Sequence, residues 1–325
     1  MENYATLLKT LGHVDRLRIV ALLSRAELTV TELVQILELS QPRVTQYIKS
    51  LEDIDVIERL REGSWVFSRL KRTNRPASLI VSAALQALPE ADAVLASDTQ
   101  KLNEIKRSRS EVVEAFFASV AKNQGQLGNE YLPQARIEQA LLEVCAGNNF
   151  ELMIDMGTGT GRMLEVFSPI IKSGIGIDAN PAMLKVARHR LASDDYNHVT
   201  VQQCNLNETP FRDGSADLIT LHQVLHYLDD PQDAIDEASR LLKLKGVLFI
   251  VDFETHENER FRVDYEHRRL GFSENDMAEY ARVSNMSIER VKEFENEANP
   301  NIIIWQARKI KKPTVACRSV ESEAL

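Results

Sequence analysis

Cysteine is scarce. The 325 residues contain three, Cys145, Cys204 and Cys317, far apart and never in a Cys-x-x-Cys spacing. That distribution excludes a disulfide framework and a thiolate zinc site, and it makes a reducing cytoplasm the expected compartment. No apolar run reaches membrane-spanning length, and the first residues carry no signal-peptide pattern. No internal repeat is present. An excess of positive charge is also missing. With 39 Lys and Arg against 48 Asp and Glu the net charge is −9, which argues against nucleic-acid binding by the surface as a whole. The charge is unevenly placed, however. Met1 to Arg75 holds 12 Lys or Arg against 10 Asp or Glu, a net of +2, so the remainder carries −11. Such asymmetry suggests a nucleic-acid-facing module on an acidic body, and the length allows two domains with cores of their own.

The glycines are concentrated where they can act. Asp155-Met156-Gly157-Thr158-Gly159-Thr160-Gly161 follows the apolar run Leu152-Met153-Ile154 and leads into an amphipathic stretch, Arg162 to Phe167. Alternating glycines bring backbone rather than side chains against a ligand. A strand, this loop and a helix in succession predict a nucleotide-type cofactor site with free backbone N–H groups at the helix start. The dinucleotide fingerprint needs Gly or Ala six positions along from Gly157, where Arg162 stands, so a nicotinamide cofactor ranks lower. A second strand, Gly174 to Ile177, ends on Asp178, an acid placed to accept ribose hydroxyls. That acid alone does not separate the two cofactor classes. Further strands at Val199–Val201, Ala216–Leu221 and Val247–Val251, with a helix at Ala234–Leu242 and a turn at Lys245-Gly246, predict a doubly wound, mostly parallel α/β sheet.

From about Tyr131 to Lys309 the chain resembles the ubiquinone-biosynthesis type of class I, Rossmann-like S-adenosylmethionine methyltransferase. Motif I, Asp178, Asn205 and the segment His222 to Tyr227 carry the likeness. The resemblance implies that S-adenosylmethionine, or its product S-adenosylhomocysteine, binds at Asp155, Gly157, Thr158, Gly159, Gly161, Asp178, Ala179, Asn205, Leu206 and His222. It places Asn205 at the adenine amino group. One departure stands out. Relatives carry an aromatic residue just before the first methyltransferase helix, and here the stretch is Ala121-Lys122-Asn123-Gln124-Gly125-Gln126.

Methyl transfer from a sulfonium needs mainly positioning and exclusion of water, with a base only where the acceptor must lose a proton. Candidate catalytic residues are His222, His226 and Tyr227 after the fourth strand, with Asp252 and Glu254 after the fifth. Ligands gather at such strand ends. The insertion Thr255 to Phe272 is placed to cover an acceptor pocket.

The basic N-terminal part reads as short helices at Tyr4–Leu11, Val14–Ser24 and Thr31–Leu37, then a fourth, Gln41–Leu51, capped by Ser40. Val44, Ile48 and Leu51 form its buried face. Gln41, Arg43, Thr45, Gln46 and Lys49 are exposed and can read bases and phosphates. Two β-runs, Val56–Leu60 and Trp65–Leu70, joined through Arg61 and Ser64, make a basic hairpin with Arg59, Arg69, Lys71 and Arg72. Helices followed by such a hairpin predict a winged helix-turn-helix. The words Leu11 to Ile19, Leu39 to Ile48 and Arg61 to Leu70 closely resemble the arsenic-repressor (ArsR/SmtB) family of regulators. That resemblance implies a homodimer on double-stranded operator DNA, read by Gln41, Arg43, Thr45, Gln46, Lys49, Arg61 and Ser64. The family's metal sites do not carry over. Thr29-Val30-Thr31 stands where thiols would be, and Arg75 to Leu88 holds neither His nor Asp, so no metal site is expected.

The expected organisation is a winged helix-turn-helix over 1–88, a helical connector over 89–130, a methyltransferase domain over 131–310 and a disordered tail over 311–325. In the connector, Ala91 to Val120 reads as a helix with an apolar seam of Leu95, Leu102, Ile105, Val112, Phe116 and Val120, and Lys122 to Gly128 as the flexible point. Two function classes follow. One is a DNA-binding regulator that senses S-adenosylmethionine or S-adenosylhomocysteine. The other is an active methyltransferase of a small molecule that also binds its own promoter. A nicotinamide-binding regulator is a third, weaker reading.

Overall fold

The computed structural model describes residues 2–62, 65–71, 76–89, 91–122, 134–296 and 299–310. Ser64, the segment 123–128 and the tail 311–325 therefore lie outside the described residues, as does most of the stretch from which the aromatic is missing.

The N-terminal unit begins with α1 (Glu2–Leu11) and α2 (Val14–Leu23), then a short strand β1 (Leu28–Thr29). Thr29 caps α3 (Val30–Leu37) through a capping box with Glu32, each side chain meeting the other's backbone N–H. Glu38 then adopts a left-handed conformation (φ 56°) that turns the chain into α4 (Gln41–Glu52). Ser40 does stand at the N-cap of α4, but its side chain makes no capping hydrogen bond, and Pro42 in the first turn provides the helical preference instead. The wing is β2 (Ile57–Glu62) paired antiparallel with β3 (Trp65–Leu70), and β1 adds to the other edge of β3.

Next come α5 (Pro76–Gln86) and the 30-residue α6 (Ala93–Lys122). The N-terminal core unites Ile19, Leu23, Leu33, Ile36, Val44, Ile48 and Leu51 with Val81 of α5 and Leu102 of α6. So α6 starts as part of this core. Leu102 and Val120 are buried as the apolar seam predicts, whereas Val112 is 48% exposed. The seam fails at Val112 because the helix passes there from the N-terminal core to the second unit, over a cavity described below.

The second unit starts with α7 (Gln134–Val144) and β4 (Phe150–Met156), then α8 (Arg162–Phe167), β5 (Ile171–Asp178), α9 (Pro181–Arg190), β6 (Val199–Gln203), β7 (Ala216–His222), α10 (Pro231–Leu241) and β8 (Leu242–Phe253). A short helix α11 (Arg260–Tyr265), α12 (Glu274–Val283), β9 (Met286–Phe294) and β10 (Ile302–Lys309) complete it. The seven-stranded sheet has the order β6-β5-β4-β7-β8-β10-β9. The first five strands are parallel, while β10 runs antiparallel to both β8 and β9. Lys245-Gly246 is not a separate turn. It lies inside β8, where Lys245 at φ 69° marks a bulge and the register with β7 shifts. Separate apolar clusters cover the two faces of the sheet. Strand order runs outward in both directions from β4 and β7, so ligands collect at their carboxyl ends. No helix among the described residues is long and apolar enough to cross a membrane.

Candidate functional site

At the carboxyl ends of β4, β5 and β7 lies a cavity of 1310 Å³. Asp155, Gly157, Thr158, Gly159, Asp178, Ala179, Asn205, Leu206, His222, His226 and Tyr227 all line it. Gly161 does not. It caps α8 at φ 79°, with Ala187 of α9 and Leu191 just past the end of that helix packed against it. The volume exceeds that of usual small-molecule pockets, leaving room for a cofactor and a second molecule.

The glycine loop differs from expectation in one respect. Its backbone N–H groups are largely engaged: Gly157 and Thr158 both donate to the Ile177 carbonyl (2.8 and 2.9 Å), and Gly159 donates to Asp178 Oδ2 (2.8 Å). The loop thus offers its bare Cα atoms rather than a row of donors, because it is stitched to the end of β5. A pyrophosphate needs those donors; a thioether or sulfonium does not. Two acids fit the latter. Asp155 accepts from Thr220 Oγ1 (2.6 Å), while its other oxygen is buried without a partner. Burial pushes its carboxyl up to about 6. Asp178 is raised as well, by burial, against backbone hydrogen bonds that favour its charge. Arg162, which argued against a dinucleotide, lines the cavity and pairs with Glu138 (2.6 Å) and Glu165 (2.7 Å). Asn205 is exposed at the rim; its Oδ1 accepts from the Asn207 N–H (3.1 Å) and keeps a second lone pair with which to accept from an adenine amino group. The residues present fit S-adenosylmethionine.

On the far side of the cavity, β7 ends at His222 and continues into a single tight turn, Leu225–Tyr227. His222 Nε2 is buried without a partner, and burial pulls that imidazole down to about 4. His226 Nδ1 lies 2.7 Å from Asp252 Oδ1 at the end of β8. His267, from the insertion after β8, stacks on His226 with ring centroids 3.9 Å apart and is held neutral, chiefly by burial. Arg262, Glu266, His267 and Arg268 line the cavity, so the insertion does cover it. Glu254 does not line it and pairs instead with Arg290 (3.3 Å).

Two walls escaped sequence reasoning. Val113 and Phe117 line the cavity from α6, and Phe117 meets Tyr227 edge to face at 4.8 Å. An aromatic wall is therefore present, supplied by a residue upstream of the stretch where one was sought; the Phe116-Phe117 pair was its signal. Trp65, at the start of wing strand β3, also lines the cavity, under the Arg262 guanidinium (4.7 Å to the ring centroid). Nothing in the local sequence announces that contact.

The two units are locked by ion pairs around this cavity. Glu27, just before β1, is buried and pairs with Arg269. Arg69 of β3 reaches Glu58 (2.7 Å), Glu27 (3.6 Å) and Asp276 (3.8 Å). Arg69 is thus not part of a basic DNA-facing wing, since its guanidinium is spent between the units. Arg268 pairs with Asp229 (2.9 Å) and covers Phe67 (5.1 Å), and its burial lowers it to about 10. Arg109 of α6 bridges Asp229 (2.5 Å) and Glu32, the acid of the α3 capping box.

On the outer face of the N-terminal unit, Gln41, Arg43, Thr45, Gln46 and Lys49 are all exposed along α4, and Arg61 is exposed on β2. Arg43 is partly committed. It donates to Tyr47 Oη (2.8 Å) and pairs with Asp15 (3.1 Å). Arg59 pairs with Glu52 (2.5 Å), and Lys71 pairs with Asp55. Among the described residues no group of three or more His, Cys, Asp or Glu is placed to hold a metal.

Comparison with known proteins agrees with this geometry. A family model described as "Methyltransferase domain" matches residues 154–250, and one described as "Bacterial regulatory protein, arsR family" matches residues 13–59. The chain joins an arsR-type helix-turn-helix to a methyltransferase domain. It is 34% identical over 100 residues to the uncharacterized methyltransferase YcgJ of Bacillus subtilis (strain 168), covering 31% of this chain and 40% of that protein. It is 30% identical over 155 residues to a ubiquinone/menaquinone biosynthesis C-methyltransferase of Psychromonas ingrahamii, covering 46% of this chain and 61% of that one. The chain thus spans about half the length of the curated relatives it matches. A chain of the solved complex between the Haloferax volcanii Trm112 methyltransferase activator and a methyltransferase superposes with a TM-score of 0.50 at 17% identity. That match covers 60% of this chain and 98% of that one. The expected S-adenosylmethionine-type cofactor accords with the methyltransferase domain.

Proposed function

We propose that this protein is a DNA-binding transcriptional regulator whose methyltransferase domain binds S-adenosylmethionine or S-adenosylhomocysteine and reports that occupancy to the recognition helix. One observation carries the reading: Arg109 bridges Asp229, on the rim of the cofactor cavity, to Glu32, on the first helix of the helix-turn-helix. A ligand that moves the Tyr227–Asp229 segment alters the partner of a charge that also holds α3, and α3 packs on α4. Sensing requires only that the ligand bind the DNA-competent and DNA-incompetent arrangements unequally. The DNA-binding unit acts as a homodimer. Exposed Leu8 on α1 (58%) and Leu79 on α5 (72%) provide apolar surface for a second copy.

The test is operator affinity, by fluorescence anisotropy, with and without each ligand, together with ligand affinity with and without operator. Coupling of about 1–3 kcal/mol, roughly five- to 150-fold, is expected, and linkage requires the same factor both ways. If saturating ligand leaves operator affinity within about twofold, the two units are merely tethered and the reading fails.

A second reading is favoured by the His226–Asp252 pair. On it, the domain also transfers the methyl group to a small molecule, and the winged helix binds the protein's own promoter. Turnover of labelled S-adenosylmethionine in the presence of an acceptor decides for it.

A further inference from the structure

His226, buried in the turn after β7, is arranged more elaborately than a packing role requires. Asp252 is fully buried, and its carboxylate accepts from three donors: the Leu225 N–H (3.1 Å), the Phe253 N–H (2.8 Å) and His226 Nδ1 (2.7 Å). The His226 carbonyl in turn accepts from both the Arg268 and Arg269 backbone N–H groups (3.0 Å each). Ring and backbone are thus pinned from two sides. With Nδ1–H given to the carboxylate, the neutral ring must carry its bare lone pair on Nε2. That nitrogen, on the opposite side of the ring from Asp252, is buried without a hydrogen-bond partner, and His226 lines the cavity. A buried basic lone pair left unsatisfied calls for an explanation. Stacked on it, His267 has both ring nitrogens unpartnered, and burial together with its neighbours keeps it uncharged. Tyr227 stands beside His226 (ring centroids 4.1 Å apart) and meets Phe117 edge to face (4.8 Å), and both line the cavity, a setting suited to an aromatic ring.

From this geometry we infer that His226 is the general base for O-methylation of a phenolic hydroxyl, with Asp252 as its positioning residue. The proposal rests on the second reading above. The hydroxyl oxygen forms a bond to the methyl carbon as the carbon–sulfur bond of the sulfonium breaks. S-adenosylhomocysteine leaves with the electron pair on sulfur, and the hydroxyl proton passes to His226 Nε2. The resulting imidazolium is compensated by Asp252. A phenol titrates near the range of tyrosine, about 10, so an imidazole can take its proton as the new bond forms, whereas an amine acceptor needs no such base.

Base assistance should matter in proportion to how firmly the acceptor holds its proton. The full-length protein, with S-adenosylmethionine as methyl donor, is assayed on phenol and on 4-nitrophenol, which is far more ionised at neutral pH. Expected is O-methylation of both by the parent. His226→Gln should slow transfer to phenol by about 10²–10⁴-fold, with a much smaller loss, under about tenfold, on 4-nitrophenol. Asp252→Asn should behave alike, since it keeps the shape but removes the charge that compensates the imidazolium. Equal losses on both acceptors overturn the role of His226 as base. Absence of transfer to either phenol by a parent that binds S-adenosylmethionine, as read by calorimetry, overturns this inference and leaves the cofactor reading standing; absence of that binding removes both. Nitrogen-15 spectra of the parent's imidazoles are a check that needs no variant. His226 should be protonated at Nδ1 and bare at Nε2, and the opposite tautomer overturns the proposal.

Discussion

Gly157 and Gly159 sit two residues apart in one loop and should respond differently to a methyl group. A Cβ at Gly157 would meet Val224 Cγ2 at 2.5 Å from a backbone of φ 78°; at Gly159 (φ 51°) the nearest atom is Met183 Cε at 3.4 Å. Gly157→Ala should therefore destabilise the domain, by about 1–3 kcal/mol for overpacking with backbone strain in addition. Gly159→Ala should cost about 1–2 kcal/mol of stability from the left-handed backbone, yet lose cofactor affinity by tenfold or more, because the added carbon faces the cavity. Thermal melts and calorimetric titration with S-adenosylmethionine separate the two; a Gly159→Ala protein with parental affinity would show that the ligand lies elsewhere. His222 supports a prediction in pH. Its folded value is lowered to about 4 by burial, against roughly 6.5 when unfolded. The unfolded chain binds the extra proton between those values, so this site contributes stability that is complete above about pH 6.5 and disappears as pH falls towards 4. The contribution is about 3 kcal/mol, and His222→Asn should flatten that part of the stability profile by a similar amount in urea titrations. The sequence singled out His222 and His226 alike as candidate bases. Only the structure separates them, because the carboxylate partner, Asp252, comes from another strand.

Helix α4 shows which parts of an element are legible in advance. Its apolar period assigned Val44, Ile48 and Leu51 to the inside and five polar residues to the outside. What the period could not say is that Tyr47 is buried too and ties Arg43 to the body of the module, with its hydroxyl also 3.2 Å from Asp15. Lys49→Ala should weaken DNA binding uniformly across sequences and reduce the salt slope by about one unit. Arg43→Ala should cost about 1–3 kcal/mol if the side chain leaves Asp15 to read a base, and relax specificity at one position. Binding isotherms over a range of salt on operator and scrambled DNA distinguish these; parental affinity in both variants would move the interface off α4. Helix α6 marks the limit of the same reasoning. Its periodicity was visible, but its partners change along its length: Asp98 meets Arg18 (2.7 Å) in the N-terminal unit, while the Glu114 carbonyl accepts from Asn180 Nδ2 (3.0 Å) beside the cofactor loop. A helix that serves two cores has no single apolar face, and Val112 is exposed for that reason.

In the whole molecule, a cluster of buried charges packed against Phe67 and Trp65 marks the junction between the units. Removing one partner of a buried pair leaves the other uncompensated, at a cost of about 3–5 kcal/mol. Glu27→Ala should thus loosen the docking of the winged helix on the insertion after β8, seen as increased amide exchange around Phe67 and Arg269. Unchanged protection there would show that the ion cluster does not hold the units together. Arg109 is the more specific probe, because it touches both the cavity rim and α3. Arg109→Ala should reduce the ligand effect on operator affinity to within about twofold while each unit keeps its own ligand affinity. A parental coupling factor in that variant would exclude the Asp229–Arg109–Glu32 bridge as the connection.

Motif spacing, apolar period and turn chemistry act over a few residues, and this much the sequence by itself determined: a winged helix-turn-helix, a doubly wound sheet with a glycine loop at its first strand, and Asp178 at the end of the second. The tertiary structure alone decided the relations between distant segments. It placed Trp65 of the wing and Phe117 of the connector in the wall of the cofactor cavity, and it buried Arg69 against Glu27 instead of leaving it to DNA. It also closed His226 onto Asp252. The physical reason is that each of those contacts depends on how two independently formed cores dock or on which strands become neighbours. Neither leaves a periodic trace in the chain.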